Sequence, residues 1–437
     1  MHENQEQITP LAITNWRDIR QKFGIKQKNR RGHMYIIGKT GTGKSSLLGN
    51  MAISDIANGY GLALIDPHGD LAETLLQYIP ENRIDDVIYF NPGDLEYPIA
   101  FNPLENTHAD FHHLVVSGLI STFKKIWADF WGPRLEHILR HCLFTLVEYP
   151  GSTLLDITRL LTDKDFRQKV VLSIKHPHVK SFWIHEFESY SAWLRSESIS
   201  PILNKMGQFL TNLPLRNIIG QSKNTFRFRK AMDEGKIIIV NLSKGKLGED
   251  NCTLLGSMIV TQIYLAAFSR SNIAEDQRRP FYMYVDEFHN FITHTFADML
   301  SESRKYGLNL VLAHQYINQL TDQIRNAVFG NAGTMISFRV GSDDAMHLER
   351  EFSPFNSLDL VSLSNYSFYI KLMINGITSE PFSAVTLPLP ITMISELEYV
   401  REESRRKYCT PRKMVELTTL YRLKPLTHPR RFQGKLF

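Results

Sequence analysis

Three observations predict an α/β fold with a mainly parallel central sheet, interrupted by an all-α insertion domain. Short apolar runs of strand length alternate with helical segments, which is typical of a parallel sheet with helices on both faces. The first of these runs leads directly into a glycine-rich loop at residues 38–45. Between about residues 108 and 230 the strand-like runs stop, and apolar residues recur with helical spacing.

The strand-like runs lie in two groups, one on each side of this insertion. A final pair of runs is expected to form an antiparallel edge of the sheet. The first group occupies residues 34–37, 62–65 and 87–90, the second residues 237–240, 282–285, 310–313 and 335–338, and the final pair residues 368–373 and 382–385.

This pattern divides the chain into four segments. We expect a basic N-terminal segment at residues 1–30, a sheet-containing motor domain at residues 31–107 and 231–390, an all-α insertion domain at residues 108–230, and a basic helical tail at residues 391–437. The insertion holds four tryptophans, which are expected in its core: Trp127, Trp131, Trp183 and Trp193.

The glycine-rich loop fits the pattern G-x-x-x-x-G-K-[ST] and lies between a predicted strand and a predicted helix. Backbone N–H groups and the positive end of the helix dipole then face a polyphosphate. Lys44 would neutralise the β- and γ-phosphates, and Ser45 would supply an oxygen to Mg²⁺. A glycine turn that merely joins strand to helix is the alternative, and the complete motif with both flanks disfavours it. The predicted ligands are ATP and Mg²⁺, bound by Gly38, Lys39, Thr40, Gly41, Thr42, Gly43, Lys44, Ser45 and Ser46.

An acidic pair follows the apolar run at residues 281–285. Asp286 would hold the hydration shell of Mg²⁺, and Glu287 would orient and polarise the attacking water. The alternative is a strand that ends in solvent. In a chain with a complete glycine-rich loop, the catalytic interpretation is favoured.

Three further polar residues are candidates for roles in hydrolysis. Gln315 follows the run at residues 309–313, at a strand end where it could sense the γ-phosphate. A simple polar residue at a strand end is the alternative. Arg304 and Arg339 are both candidates for the cation that stabilises the developing charge, often supplied by a neighbouring subunit, and each could equally form a surface ion pair.

The positive charge of the chain is concentrated in two segments. Residues 401–437 hold 11 Lys and Arg against 3 Asp and Glu, a net charge of +8, while residues 1–400 hold 39 against 42, a net charge of −3. A second group of cations precedes the first strand: Arg17, Arg20, Lys22, Lys26, Lys28, Arg30 and Arg31. Either group could contact nucleic acid, a membrane surface or an acidic partner, or form a solvated helix face.

Three scattered cysteines suggest neither a disulfide framework nor a zinc site. No apolar run approaches the ~18–20 residues that span a bilayer, and the polar N-terminus lacks a signal peptide. We therefore expect a cytoplasmic protein without a transmembrane segment of its own.

In their order along the chain, these motifs resemble those of the HerA/FtsK superfamily of hexameric pumping ATPases. The likeness is greatest to the soluble part of the type IV coupling proteins of conjugation, and it covers about residues 30–390. The helical insertion contributes to it, together with the motifs at residues 37–45, 66–70, 285–288, 304–307, 313–315, 330–334 and 339–341.

The resemblance implies a RecA-like P-loop NTPase and assigns roles residue by residue. Lys44 and Ser45 act on nucleotide and Mg²⁺, Asp286 and Glu287 act on metal and water, and Gln315 acts as sensor. Arg304 becomes the better candidate for the arginine that acts in trans. The transmembrane pair of many coupling proteins and the β-barrel of HerA-type proteins are not recognised here, so a soluble relative is expected, peripheral to the inner membrane through partners if at all.

The predicted function is a ring-forming ATPase, expected to be hexameric, that moves DNA or nucleoprotein cargo in conjugation-like transfer. The alternative is a non-processive ATP-dependent switch that recruits a relaxase, a nuclease or a secreted protein, as in HerA-like defence or secretion ATPases. A metabolic kinase is a weaker alternative, because Glu287 would activate the water that a kinase must exclude.

Overall fold

The computed structural model describes residues 6–15, 19–105, 109–293, 295–391 and 397–423. The chain splits into two compact units. The sheet unit comprises Met1–Gly93 and Phe226–Lys407, and the helical unit comprises Asp94–Thr225 and Tyr408–Phe437.

The strands in chain order are β1 (Ile8–Thr14), β2 (Lys22–Lys26), β3 (Met34–Ile37), β4 (Gly61–Asp66), β5 (Val87–Phe90), β6 (Ile237–Asn241), β7 (Phe281–Val285), β8 (Leu308–His314), β9 (Thr334–Ser337), β10 (Ser367–Lys371), β11 (Met373–Ile374), β12 (Ile377–Thr378) and β13 (Phe382–Thr386).

The first ten helices are α1 (Gln27–Arg30), α2 (Lys44–Ala57), α3 (Asp70–Leu76), α4 (His112–Ile126), α5 (Pro133–Glu148), α6 (Asp156–Thr162), α7 (Lys164–Ser173), α8 (Pro177–Ser181), α9 (Ala192–Thr211) and α10 (Leu213–Ile219). The others are α11 (Phe228–Glu234), α12 (Lys244–Leu247), α13 (Glu249–Phe268), α14 (Phe296–Glu302), α15 (Asp322–Asn331), α16 (Ser342–Leu348), α17 (Ser357–Val361), α18 (Leu397–Tyr408) and α19 (Arg412–Leu423).

An 11-stranded sheet forms the centre of the sheet unit, in the order β2-β1-β13-β10-β9-β3-β8-β7-β4-β6-β5. The seven strands from β9 to β5 are all parallel, which confirms the predicted α/β class with a mainly parallel sheet. Strands β3, β4, β7 and β8 are buried along their whole length, and each is mostly apolar. Their carboxyl ends meet at one edge, which we call the carboxyl edge.

The predicted antiparallel strands are present, but they do not form the edge of the sheet. β10 pairs antiparallel with β9, and β13 pairs antiparallel with β10. β1 and β2, from the segment before the first predicted strand, then extend the sheet beyond β13. The sequence did not predict these two strands, because β1 contains Pro10 and β2 contains two lysines and Gly24. All of these residues disfavour the assignment of a strand.

The cations before β3 do not form one surface. Arg30 is buried, and its guanidinium donates to Asp55 at 3.0 Å and to the Tyr284 hydroxyl at 2.8 Å. Lys26 and Lys28 both pair with Glu6. Arg17 lies outside the described residues. The interpretation of this group as a single contact surface is therefore wrong for Arg30, because a buried ion pair and an exposed cation look the same in sequence.

The helical unit contains the predicted amphipathic helices α4 and α5, whose apolar faces are buried. Trp127 and Trp183 are almost completely buried, as expected of core residues. Trp193 is 73% exposed, so its expected place in the core is wrong. It lies at the start of α9, where a helix can turn an apolar side chain towards solvent.

The tail is helical over α18 and α19 within the described residues. It is not one segment, because residues up to Lys407 belong to the sheet unit and residues from Tyr408 belong to the helical unit. In the sheet unit, Arg401 pairs with Glu73 and Lys407 pairs with Asp85. Arg430 and Arg431 lie outside the described residues. Two of the tail cations are thus engaged by carboxylates of the sheet unit.

One stretch of the described chain, Glu249–Asn272, has the length and mean hydropathy, 1.5, to cross a membrane. Two thirds of its apolar window, 67%, is buried. A buried core helix passes the same test, so this stretch is weak evidence for a membrane span.

Candidate functional site

A cavity of about 380 Å³ opens at the carboxyl edge of the sheet unit. The residues around it come from the loop after β3 and from the ends of β4, β7 and β8, together with one residue just before β10. They are Thr40, Gly41, Gly43, Lys44, Ser45, Ser46, Asp66, His68, Asp70, Leu71, Asp286, Glu287, Gln315 and Tyr366.

The loop between β3 and α2 is fixed at both ends by the sheet. The Lys39 amide donates to the Arg339 carbonyl at 2.8 Å. A Cβ on Gly38 would lie 2.5 Å from the Cβ of Phe338, so a side chain has no room there. Gly43 adopts φ +116°, a backbone conformation that favours glycine, and it caps the N-terminus of α2. The sequence therefore places the α2 N-terminus at the cavity.

Lys44 is buried, and its ammonium group donates to the Gly38 carbonyl at 2.7 Å and to the Lys39 carbonyl at 3.2 Å. Burial lowers the pKa of Lys44, while the carboxylates of Glu287 and Asp286 act in the opposite direction. The amine is thus held inside the loop, next to the place where an anion meets the helix N-terminus.

Asp286 and Glu287 directly follow β7 and are each 5% exposed. Burial, followed by the nearby Glu287 and Asp66 carboxylates, raises the pKa of Asp286 to about 7. Crowded carboxylates of this kind favour a bound cation. Together with the Ser45 hydroxyl, the Asp286 carboxylate fits the oxygen ligands and retained waters of Mg²⁺.

Glu287 has φ +45° and ψ +49°, a left-handed conformation that is uncommon for a residue other than glycine. Its Oε1 accepts a 2.7 Å hydrogen bond from the Gln315 amide. Its Oε2 is buried and accepts no hydrogen bond within the described residues. His289 Nδ1 lies 3.4 Å from that oxygen. The carboxylate is therefore oriented through Oε1, while Oε2 has no hydrogen bond within the described residues.

Asp66 lines the same cavity, but both of its oxygens already serve the backbone. Oδ1 accepts from the His68 amide at 2.8 Å, and Oδ2 accepts from the Ala72 amide at 2.9 Å. It therefore holds the start of α3 and adds negative charge beside Asp286.

The two arginine candidates lie at opposite ends of the parallel strands. Arg304 is exposed and lies just before β8, so the seven residues of that strand, roughly 20 Å, separate it from the carboxyl edge. Arg339 lies at the carboxyl edge, where its guanidinium donates to the Asn365 side chain at 2.9 Å. Neither lines the cavity of its own chain.

Of the predicted phosphate-loop residues, the structure brings Thr40, Gly41, Gly43, Lys44, Ser45 and Ser46 to the cavity, together with Asp286, Glu287 and Gln315. Gly38, Lys39 and Thr42 do not line the cavity. The Gly38 and Lys39 carbonyls accept from the Lys44 ammonium group, and the Thr42 hydroxyl donates to the Lys39 carbonyl at 2.7 Å. Sequence reasoning missed Tyr366 and His289, because no motif marks either one. Their positions follow from backbone turns that only the folded sheet defines.

Residues 21–348 match a family model described as the type IV secretion-system coupling protein DNA-binding domain. The type 4 coupling protein DotL of Legionella pneumophila is 20% identical over an alignment of 361 residues that covers 69% of this chain and 46% of that protein. The chain thus spans about half the length of this curated relative.

Two solved structures share the fold. The plasmid coupling protein TrwB in complex with ADP and Mg²⁺ aligns with a TM-score of 0.59 and 15% identity, over 89% of this chain and 92% of that one. VirB4 of Thermoanaerobacter pseudethanolicus aligns with a TM-score of 0.53 and 13% identity, over 88% and 98%. At these identities the likeness is one of fold.

Proposed function

The chain belongs to the type IV secretion-system coupling protein family, and from this premise we propose that it is a Mg²⁺-dependent ATPase that drives DNA or nucleoprotein cargo through a ring of identical subunits. The observation that carries the proposal is the meeting of Lys44, Asp286, Glu287 and Gln315 at one cavity. The TrwB complex with ADP and Mg²⁺, which has the same fold, supports the choice of ligands.

Each residue has a distinct role in this proposal. Lys44 would leave its loop carbonyl partners for the β- and γ-phosphates, and Ser45 and Asp286 would hold Mg²⁺. Bound Mg²⁺ neutralises charge that develops on the phosphates. The Glu287 carboxylate would polarise the attacking water, while Gln315 keeps that carboxylate in place through Oε1.

The position of Arg304 supports assembly into a ring. Arg304 lies about one strand length from the cavity of its own chain. It can therefore act only on a nucleotide that is bound by a neighbouring copy. A hexamer with Arg304 in trans is the arrangement we favour over Arg339, whose side chain is engaged by Asn365. We place this part of the protein in the cytoplasm, peripheral to the inner membrane through secretion-system partners.

The test is the rate of ATP hydrolysis by the full chain with no DNA, with single-stranded DNA and with double-stranded DNA, each at two salt concentrations. The oligomeric state is measured in the same buffers. We expect DNA to stimulate hydrolysis several-fold, and the stimulation to fall with salt because phosphate contacts release counterions. Hydrolysis that DNA leaves unchanged would instead support the switch that recruits a relaxase, a nuclease or a secreted protein.

A further inference from the structure

Tyr366 brings an aromatic ring to the rim of the cavity, where no motif predicts one. It is 51% exposed and has φ +66°. A bulky residue in this conformation is a genuine outlier, and such strain is retained where the surrounding structure enforces it.

The surrounding hydrogen bonds do enforce the conformation. The Tyr366 amide donates to the Thr42 carbonyl in the phosphate loop at 2.7 Å. The Thr386 amide donates to the Tyr366 carbonyl at 2.8 Å. A Cβ on Gly43 would lie 3.0 Å from the Tyr366 ring, so the ring lies directly against the last glycine of the loop.

The order of the strands separates Tyr366 from the acidic residues. Asp286 and Glu287 follow β7, and Gln315 follows β8, on one side of β3. Tyr366 precedes β10, on the other side of β3. A triphosphate that lies across the loop with its γ-phosphate facing Glu287 therefore directs its nucleoside towards Tyr366. His68, the other aromatic ring among the described lining residues, follows β4 on the acidic side.

We propose that Tyr366 is the stacking surface for the nucleobase of the triphosphate. This inference rests on the proposed function and adds a base subsite to it. Stacking uses the face that every base has and depends on its area, so purine nucleotides bind more tightly than pyrimidine nucleotides at this site.

The test measures the dissociation constants of MgATP, MgCTP and magnesium tripolyphosphate by calorimetry on the full chain. Tyr366→Gly removes the ring and suits the positive φ, so folding is not compromised. Tyr366→Phe keeps the ring. Tyr399→Ala is the matched control, because Tyr399 is also 51% exposed but does not line the cavity.

We expect Tyr366→Gly to bind MgATP about tenfold more weakly, or about 1.4 kcal/mol, and to bind tripolyphosphate like the wild type. The preference for ATP over CTP should disappear with the ring, while Tyr366→Phe and Tyr399→Ala retain it. Equal weakening of ATP and tripolyphosphate, or no weakening of either, would overturn the stacking role. Wild-type protein that binds neither ATP nor tripolyphosphate would overturn the proposed function itself.

Discussion

The Gln315 side-chain amide donates a 2.7 Å hydrogen bond to the Glu287 carboxylate and joins the ends of the adjacent strands β8 and β7. Glu287 is otherwise held in a left-handed backbone conformation with its second oxygen unbonded within the described residues. The orientation of the carboxylate thus depends on a residue that lines the same cavity.

Gln315→Ala should lower kcat about tenfold and leave the Kd of ATP nearly unchanged, because it removes the positioning bond and no phosphate-loop contact. Steady-state rates and calorimetry check this split. Asn318→Ala, an exposed position in the turn that follows, is the matched control. A Gln315→Ala protein with wild-type kcat would show that Glu287 is positioned by other means.

Glu287→Gln should preserve ATP binding and slow hydrolysis at least a hundredfold, because the amide keeps the shape and loses the base. Lys44→Ala should weaken both binding and turnover, since its ammonium group is the cation inside the loop. Single-turnover hydrolysis and equilibrium binding separate the two effects. Wild-type turnover in Glu287→Gln would remove this residue from the chemistry.

Arg304→Ala should bind ATP normally and hydrolyse it slowly at every protein concentration. Mixing it with Glu287→Gln protein should restore activity, because a mixed ring contains interfaces with one intact Glu287 and one intact Arg304. Lys305→Ala, the neighbouring exposed cation, serves as control. If Arg304→Ala is as active alone as the wild type, Arg304 has no role in hydrolysis and Arg339 becomes the candidate.

His33 gives a prediction for stability against pH. Its Nδ1 accepts from the Leu310 amide at 3.1 Å, and burial lowers its pKa from 6.5 to about 4. The folded state therefore binds fewer protons than the unfolded state below pH 6.5, so stability is full above that pH and falls as the pH drops towards 4.

His33→Asn removes this titration and keeps an acceptor, and Asn tolerates the positive φ of +58° at this position. Between pH 7.5 and pH 5, wild-type protein should lose about 2 kcal/mol more free energy of unfolding than the variant. Urea unfolding at the two pH values measures this difference. His314 titrates in the same direction in both proteins and cancels from it. Equal losses in the two proteins would contradict the prediction.

The sequence predicts most accurately the strands that are buried on both faces of the sheet. Strands such as β4 and β8 contain continuous apolar runs between helices, so their presence, class and carboxyl-end residues could be read directly. β2 is the edge strand and contains lysines and glycine, while β1 beside it has a register shift between Pro10 and Ala12. Neither strand is a continuous apolar run, so neither was predicted.

Charge was the least informative pattern. Arg30 was indistinguishable from its exposed neighbours, because its partners Asp55 and Tyr284 lie far along the chain. Arg401 likewise pairs with Glu73, so the +8 of residues 401–437 overstates the charge that α18 presents. Tyr366 could not be predicted, since its place beside Gly43 depends on the turn before β10.

The register of β3 has a consequence for synthesis of the chain. Met34 pairs with Val311 in β8 and with Thr334 in β9. At about 5–20 residues per second, the ribosome needs about 14–55 s to supply the first of these partners. Throughout that interval both edges of β3 lack their partners, while all of the helical unit up to Thr225 emerges first. The parallel sheet therefore becomes complete only late in synthesis, after the helical unit up to Thr225 has emerged.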